Sequence, residues 1–395
     1  MEISKNYLSP FFFIFIVPIL LFLILRKTSK SDKIFPNKFS VLTFIILFLY
    51  AFASLKLFPQ NFTGPTNVDG FTPSYQGNGF LYYLVSLTLT FLVCFTLKDF
   101  PLQLRDNFIP FIMTCNIFGF LFVLYLYFKD KDDYYQKEED DKQGMSSLFK
   151  FYRGLKFHPR ILNVDIKQLT NCRFGMMLWQ FLIIIFGFAS YQVYGWNLAI
   201  WVSIILQSIY IAKFFYWETG YFNTLDITLD RGGYYICWGC LVFLPVIYTF
   251  TTYYLSYYPS YLNSALLIGI LCLGLYFIYL NYQVDAQKEQ FKADNQKEIW
   301  GEKPKFLEKD GRKLLLSGWW GKTRHMNYTF EIGLSACWCA VALPLGVLPF
   351  TYLFYIIALL VHRIYRDEKK CSDKYGDFWK EYCGKVAYRL IPNIY

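Results

Sequence analysis

Residues 108–128 read FIPFIMTCNIFGFLFVLYLYF and contain no charged side chain. A helix of roughly 17–25 apolar residues crosses the hydrocarbon core of a bilayer, so this run is long enough for one span. A barrel strand would alternate apolar and polar residues and would need only about 10 of them. Further apolar runs are Phe11–Leu25, Val41–Leu55, Leu81–Thr96, Met176–Ala189, Leu198–Phe215, Tyr234–Tyr254, Leu262–Leu280 and Tyr328–His362. Since the last run breaks at LPLGVLP (343–349), the sequence predicts an all-α, polytopic integral membrane protein with about ten transmembrane helices.

The composition of the 395 residues agrees with a membrane protein, because 55% of them are apolar and only 17% are charged. Soluble domains average about 25% charged residues. The net charge of +10 resides in the loops between the apolar runs and at the C-terminus, as the positive-inside rule describes. A nucleic-acid-binding protein needs a basic soluble face interleaved with aromatic residues. The sequence has no such face, so we expect no nucleic-acid partner.

The ten cysteines do not predict a metal site. Several of them lie inside the apolar runs, where cysteine behaves as a small hydrophobic residue. Cys237 and Cys240 form a C-x-x-C pair, but no second Cys or His pair accompanies it. Because a zinc site takes about four such ligands, we expect no metal.

Three polar stretches, Lys129–Arg173, Asp285–Arg324 and Arg363–Tyr395, each contain more Lys and Arg than Asp and Glu. This charge bias predicts that all three are cytosolic. The loops Asn61–Gly79 and Ser256–Ser264 carry almost no basic residues, so we expect them on the other side of the membrane. The predicted organisation is N-terminal transmembrane helices (1–128), a cytosolic linker (129–175) that opens with a solvated acidic run, and a C-terminal transmembrane catalytic region (176–395).

Four carboxylates lie in apolar surroundings, where an acid is a functional candidate because burying its charge is costly. Glu218, Asp226 and Asp230 belong to YWETGYFNTLDITLDRGG (216–233), and Asp367 belongs to RIYRDEKKC (363–371). Glu218 and Asp226 are eight residues apart, which would place them on the same side of one helix. The alternative is a loop at the membrane boundary with ordinary solvated acids.

The stretch LLLSGWWGKTRHMNY (314–328) places basic and amide side chains just before an apolar helix. Such an entrance suits a phosphate-bearing ligand, because the helix N-terminus adds its own partial positive charge. Lysine and arginine at this depth also serve as interfacial anchors. A G-x-G-x-x-G dinucleotide loop is absent from the sequence, so a nucleotide would have to bind in a different way.

Three C-terminal motifs together resemble one known family. They are LLLSGWWGKTRHMNY (314–328), LLVHRIYRDEKKCSDKYGDFWKEYC (359–383) and YRLIPNIY (388–395). Upstream, GPTNVDGFTPSYQGNG (64–79) and FHPRILNVDIKQ (157–168) are similar to the Gly-Pro and Pro-Arg boxes of the same family. The chain is thereby identified as a member of the sterol reductase family, which includes the Δ14-, Δ7- and C24(28)-sterol reductases and the lamin B receptor. Residues 213–249 most closely resemble the 7-dehydrocholesterol (Δ7-sterol) reductase branch.

The resemblance implies a ten-helix fold in which the C-terminal helices and their cytosolic loops hold NADPH. Motif matching places the cofactor contacts at Lys288, Lys292, Leu315, Trp320, Arg324, Asn327, Tyr328, Asp367, Cys371, Lys374, Tyr375 and Tyr382. The family usually has Arg where this chain has Lys292, which keeps the charge but loses the bidentate geometry of a guanidinium. For Cys371 and Tyr382 the alternative is ordinary packing.

The resemblance also implies the reaction, which is NADPH-dependent reduction of a sterol carbon–carbon double bond by protonation and then hydride transfer. The expected target is the Δ7 bond of 7-dehydrocholesterol-type Δ5,7-sterols. We expect Tyr248 as the proton donor, with Glu218 and Asp226 as orienting or relay carboxylates. The alternatives are Δ14- or C24(28)-sterol reduction and a non-enzymatic sterol-binding membrane protein. The expected partners are a sterol and membrane lipid, in the endoplasmic reticulum membrane or, in a bacterium, the inner membrane.

Overall fold

The computed structural model describes residues 4–57, 60–67 and 70–395. Within these residues, nine helices are long and apolar enough to cross a membrane. A shorter tenth helix lies between the last two of them and is labelled α9. The ten helices are α1 Asn6–Thr28, α2 Lys38–Leu57, α3 Gly79–Thr96, α4 Phe108–Asp130, α5 Gln168–Tyr194, α6 Leu198–Tyr216, α7 Tyr234–Tyr257, α8 Ser264–Ala293, α9 Met326–Ala340 and α10 Leu348–Tyr375. The prediction of a polytopic helical membrane protein is confirmed.

Helix α9 and the turn after it explain the difference between nine and ten helices. The 15 residues of α9 rise only about 22 Å, whereas the hydrocarbon core of a bilayer is roughly 30 Å thick. The chain then makes two 3-10 turns, Leu343–Leu345 and Leu348–Phe350, each with a proline in its first turn. Gly346 between them has φ of +87°, a conformation that glycine adopts without strain. The predicted break at 343–349 is therefore confirmed.

Short elements connect the long helices. The short helices are Phe100–Asp106, Lys137–Lys142, Ser147–Arg153, Glu218–Tyr221, Leu225–Thr228 and Asp377–Lys385, with a 3-10 turn at Gly318–Gly321. Three antiparallel hairpins pair β1 Asn61–Thr63 with β2 Ser74–Gln76, β3 Arg160–Ile161 with β4 Val164–Asp165, and β5 Phe306–Lys309 with β6 Arg312–Leu315. All of these hairpins lie in loops between the long helices.

The chain forms two compact units. Unit 1 comprises the residues up to Ile200 together with Gln207–Pro259, and unit 2 comprises Trp201–Leu206 together with Ser260–Tyr395. The core of unit 1 surrounds α5, in which nearly all residues up to Ser190 are buried. This helix packs on the helix Phe100–Asp106, on α3 and on α7. In unit 2, α8 packs along α9, and α9 packs on α10. This division by contacts does not test the predicted boundaries at residues 128 and 175, which stay predictions.

The loop at Asn61–Gly79 lies on the same side of the membrane as the predicted linker, and the expectation that the two are on opposite sides was wrong. The Tyr75 hydroxyl is 3.1 Å from Nδ1 of His158. In the same region, Arg160 donates to the carbonyl oxygen of Ser74 at 3.1 Å. Two loops that contact each other outside the helices cannot lie on opposite faces of a bilayer. The lack of basic residues in this loop therefore does not predict which face of the membrane the loop lies on.

The loop between α1 and α2 lies at the other end of unit 1. There Lys30 donates to the carbonyl oxygen of Tyr257 at 3.0 Å, next to the start of the Ser256–Ser264 loop. Three candidate spans, α2, α3 and α4, separate this loop from the linker. An odd number of crossings places the two on opposite faces of a bilayer, in agreement with their positions at opposite ends of unit 1.

The acidic run in the linker is not simply solvated as predicted, since part of it is buried in unit 1. The Asp140 side chain is only 3% exposed and is paired with Arg153 at 2.5 Å and with Arg231 at 3.1 Å. Asp130 is similarly buried and lies 2.9 Å from Nζ of Lys156. Buried carboxylates require such partners because an unpaired buried charge is strongly destabilising.

Candidate functional site

Glu218 forms a buried ion pair with Arg173, a residue that the sequence did not single out. The Arg173 side chain is fully buried and the Glu218 side chain is 2% exposed. Arg173 donates through Nη1 to Oε1 of Glu218 and through Nη2 to Oε2 at 3.0 Å. Its Nη2 also donates to Oδ1 of Asn78 at 2.7 Å. One guanidinium therefore holds both carboxylate oxygens of Glu218 in a bidentate, charge-assisted pair.

Asp226 and Asp230 belong to a turn that a second buried cation holds. Lys167 is fully buried, and its Nζ donates to the carbonyl oxygens of Asp226, Ile227 and Asp230 at 3.2, 2.6 and 2.8 Å. Burial lowers the pKa of the Lys167 ammonium to about 8, although neighbouring carboxylates oppose the shift. The Asp226 side chain itself is half-buried. Glu218 and Asp226 therefore occupy two short helices held by different cations, rather than one face of one helix.

Tyr248 lies where α7 is interrupted. The helical turns Leu244–Ile247 and Phe250–Tyr257 flank it, and its side chain is half-buried. The Tyr248 ring packs edge-on against Trp179, with centroids 4.9 Å apart and an interplanar angle of 80°. Trp179 Nε1 donates to Gln207 Oε1 at 2.8 Å, so the aromatic wall beside Tyr248 has a fixed orientation.

In unit 2, the predicted cofactor residues Lys288 and Trp320 contact each other. Lys288 Nζ lies 4.1 Å from the centroid of the Trp320 ring. Trp320 Nε1 donates to the carbonyl oxygen of Val284 at 2.9 Å, and the Tyr382 hydroxyl donates to the carbonyl oxygen of Trp320 at 3.2 Å. Lys288 remains exposed. Lys292 is exposed as well. Because Lys288 and Lys292 are four residues apart on α8, they lie on the same face of this helix.

Four of the five N–H groups of Arg324 donate to other residues of the protein. Its Nε and Nη2 donate to Glu368 Oε1 at 2.9 and 2.7 Å. Its Nη1 donates to the carbonyl oxygens of Val386 and Ala387 at 2.5 and 2.9 Å. Glu368 also accepts from Arg389 Nε at 2.9 Å. This arrangement favours a structural role for Arg324, which ties the C-terminal segment to the 314–328 stretch.

The remaining residues at the start of α9 present acceptors and aromatic faces. Tyr328 donates its hydroxyl to Oδ2 of Asp367 at 2.9 Å, and its ring stacks on His325 with centroids 5.2 Å apart. Burial, with help from nearby cations, lowers the pKa of His325 to about 3, so the imidazole is neutral at physiological pH. His325 Nε2 and Asn327 Oδ1 are buried and find no hydrogen-bond partner among the described residues.

The other predicted cofactor residues lie along the same part of unit 2. Leu315 is buried with Phe291 and Ile299, which is a core position. Lys374 is exposed and Cys371 is half-buried, and both lie in the last turns of α10. Tyr375 is half-buried next to the cluster that contains Tyr382. The predicted set therefore includes core residues, such as Leu315, as well as accessible ones.

This donor set fits a nucleotide such as NADPH. The exposed ammonium groups of Lys288, Lys292 and Lys374 suit phosphates as charge-assisted donors, and the half-buried rings of Trp320 and Tyr328 offer faces for flat heterocycles. Two buried polar atoms without a partner among the described residues, His325 Nε2 and Asn327 Oδ1, suit polar groups of a ligand, because a buried polar atom without a partner is costly.

Comparison with known proteins gives a consistent result. Residues 9–395 match the family described as "Ergosterol biosynthesis ERG4/ERG24 family". The chain is 38% identical over 368 residues to the 7-dehydrocholesterol reductase of Arabidopsis thaliana, which covers 89% of this chain and 84% of that protein. It is 35% identical over 346 residues to the 7-dehydrocholesterol reductase of Danio rerio, which covers 84% and 72%. It is 32% identical over 333 residues to the Delta(14)-sterol reductase of Methylotuvimicrobium alcaliphilum, which covers 83% and 76%.

Proposed function

Because the chain belongs to the ergosterol biosynthesis ERG4/ERG24 family of sterol reductases, we propose that it is an NADPH-dependent reductase of the Δ7 bond in Δ5,7-sterols. The family resemblance seen in the sequence motifs is confirmed. The observation that carries the proposal is the 38% identity to a 7-dehydrocholesterol reductase across 89% of this chain. The apolar spans suit a membrane-dissolved substrate, and the family resemblance favours the endoplasmic reticulum membrane, or the inner membrane of a bacterium.

The choice of the Δ7 bond rests on sequence identity to relatives that are named for different bonds. Two proteins named 7-dehydrocholesterol reductase are 38% and 35% identical to this chain, whereas a Delta(14)-sterol reductase is 32% identical. The second candidate is therefore reduction of the Δ14 bond on the same scaffold. Both reactions reduce an alkene in a rigid ring system, so the shape of the sterol pocket would decide between them.

The residues of unit 2 that would hold NADPH follow from its chemistry. Lys288, Lys292 and Lys374 would meet the phosphates, while Trp320 and Tyr328 would face the adenine or nicotinamide ring. Bound there, the cofactor supplies the hydride. Asp367 accepts the Tyr328 hydroxyl, which fixes the ring that stacks on His325.

We propose Tyr248 as the proton donor in unit 1. An isolated alkene is a weak base, so its protonation requires a positioned acid and exclusion of water. The O–H bond of Tyr248 would break as a C–H bond forms at one alkene carbon, and the carbocation left on the other carbon is the position to which a bound cofactor would supply hydride. Glu218 suits an orienting role better than a relay, because Arg173 binds both of its carboxylate oxygens. Asp226 remains the candidate for relaying a proton back to Tyr248.

The test uses purified protein in lipid nanodiscs with 7-dehydrocholesterol and NADPH. We expect one NADPH to be oxidised for each conjugated diene lost. Ultraviolet absorbance monitors both changes, and mass spectrometry confirms the sterol product. Replacing Lys288 by Met should raise the KM for NADPH by about tenfold or more, since a charge-assisted hydrogen bond contributes roughly 1.5–3 kcal/mol.

The matched control is Lys297→Met, which removes another exposed lysine just beyond the end of α8. We expect this variant to leave the KM unchanged. An unchanged KM in Lys288→Met would place the nucleotide elsewhere, and a diene that survives with NADPH would remove the Δ7 assignment.

A further inference from the structure

Residues Glu218–Asp230, here called the acidic segment, have little intrinsic stability. They form two helices of four residues each, Glu218–Tyr221 and Leu225–Thr228. Such short helices are not stable by themselves, because helix nucleation is unfavourable and isolated helices need about 12–15 residues. The conformation of the acidic segment must therefore be imposed by contacts with the rest of unit 1.

The first half of the acidic segment is anchored at two points. Glu218 is bound by the buried guanidinium of Arg173. Phe222 stacks on Tyr75 with centroids 4.1 Å apart and an interplanar angle of 7°, and both rings are buried in one cluster. The same cluster also contains Ile227, so apolar packing holds one side chain of the turn at residues 225–230, whereas the backbone carbonyls at the end of the turn need a separate partner.

Lys167 is the polar anchor of the second half. The turn ends the helix Leu225–Thr228, where backbone carbonyls lack partners within the helix. Three carbonyls of this turn, those of Asp226, Ile227 and Asp230, accept from Lys167 Nζ. An ammonium group has three donors and no acceptor, so the number of donors matches the number of acceptors. Lys167 thus replaces the capping interactions that the turn would otherwise lack.

The charges around Lys167 strengthen this anchor. The carboxylates of Asp165, Asp226 and Asp230 lie close enough to interact electrostatically with the ammonium. Asp226 and Asp230 belong to the turn itself. A positive charge at this position therefore offsets the negative charge of the turn as well as satisfying its backbone.

We propose that Lys167 is a positioning residue that holds the 225–230 turn in the conformation presenting Asp226 to the reaction. The proposal rests on the proposed function, in which Asp226 relays a proton. Lys167 acts through the turn and does not itself contact the substrate. Its side chain is fully buried, and all three of its donors are used by backbone carbonyls.

The experiment compares Lys167→Met and Lys167→Arg with a control, Lys129→Met. Lys129 is an exposed lysine that donates to one backbone carbonyl, that of Arg160, at 2.7 Å. Amide hydrogen exchange is measured across the turn, where the amides of Leu229 and Asp230 both donate to the carbonyl of Leu225. In the same samples, kcat and the KM for NADPH are measured with a Δ5,7-sterol.

We expect amide exchange in the turn to become at least about tenfold faster in Lys167→Met, since loss of the anchor permits local opening. We also expect kcat to fall by at least about tenfold with an unchanged KM for NADPH, because only the transition-state contribution is lost. Lys129→Met should change neither quantity. Lys167→Arg keeps the charge but not the geometry of the donors, so it should show the same pattern in a milder form.

Faster exchange with a normal kcat would overturn the positioning role, and a lower kcat with normal exchange would overturn the anchoring mechanism. If Lys167→Met does not fold, Lys167→Arg decides by the same two criteria. If wild-type protein reduces no sterol, the proposed function fails on that result alone. The exchange data would then show separately whether Lys167 anchors the turn.

Discussion

Replacing Glu218 by Gln tests the buried ion pair on which unit 1 depends. Gln has nearly the same shape as Glu, so the substitution removes the charge and leaves the packing around Gly79 and Asn78 unchanged. Arg173 would then keep its full charge in a site where its side chain is fully buried. Its hydrogen bonds to Oδ1 of Asn78 and to the carbonyl oxygen of Gln76 would remain.

The size of the effect follows from this burial. Removing one partner of a buried ion pair costs about 3–5 kcal/mol, because the other charge stays desolvated. For a unit of this size, that corresponds to a fall in Tm of roughly 6–20 °C. The matched control is Asp32→Asn, which removes the partner of Arg26 in an ion pair whose acid is 98% exposed. An exposed pair contributes only about 0–1 kcal/mol, so the control should leave Tm almost unchanged.

The assay is thermal unfolding in detergent, monitored by tryptophan fluorescence, for the wild type, Glu218→Gln and the control Asp32→Asn. A double-mutant cycle adds Glu218→Met, Arg173→Met and the variant that carries both substitutions. We expect a coupling energy of about 2 kcal/mol or more between the two positions. The double variant should be more stable than either single one, since apolar replacement of a whole buried pair is often tolerated. A loss below about 1 kcal/mol in Glu218→Gln would contradict the ion pair and would restore Glu218 as a proton relay.

Three further predictions follow from other residues. Tyr248→Phe should reduce sterol turnover to background and leave the affinity for NADPH unchanged by fluorescence titration, and full retained activity would exclude Tyr248 as the proton donor. Glu368→Gln breaks the ion pairs with Arg324 and Arg389, so we expect a loss of about 2–3 kcal/mol in unfolding experiments and a higher KM for NADPH, and Glu368→Asp should recover part of both. Burial lowers the pKa of Lys167 to about 8 from an ordinary 10.5, so the folded state loses this proton before the unfolded state does. The stability of the wild type relative to Lys167→Met should therefore rise by up to about 3 kcal/mol between pH 8 and 10.5, and a flat difference in Tm across this range would contradict the burial of the charge.

The helices could be predicted from the sequence because a membrane span leaves a long local signature. The run at 108–128 and the proline-containing break at 343–349 each depend on neighbouring residues only. The side of the Asn61–Gly79 loop could not be predicted in this way. Its position depends on contacts between Tyr75 and His158, which are far apart in sequence, and its own charge carries no information about them.

The buried cations show the same limit more sharply. Lys167 and Arg173 stand at the end of a stretch rich in Lys and Arg, where the sequence suggests solvated side chains. Their partners lie 45 or more residues away, and only the packing of α5 makes them visible. For Arg324, the motif predicts a cofactor contact, and nothing in the motif indicates its hydrogen bonds to Glu368 and to two backbone carbonyls.

The central claim, reduction of the Δ7 bond, is tested most directly in yeast cells that accumulate Δ5,7-sterols. The chain is expressed with a tag that confirms its presence in membranes, and the sterols are profiled by mass spectrometry beside those from cells carrying Tyr248→Phe. We predict that the wild-type chain removes the 7,8 double bond and that the variant does not. Survival of the Δ5,7-diene with reduction of a Δ14 or side-chain bond would contradict the Δ7 assignment, and an unchanged sterol profile from folded protein would contradict the reductase activity itself.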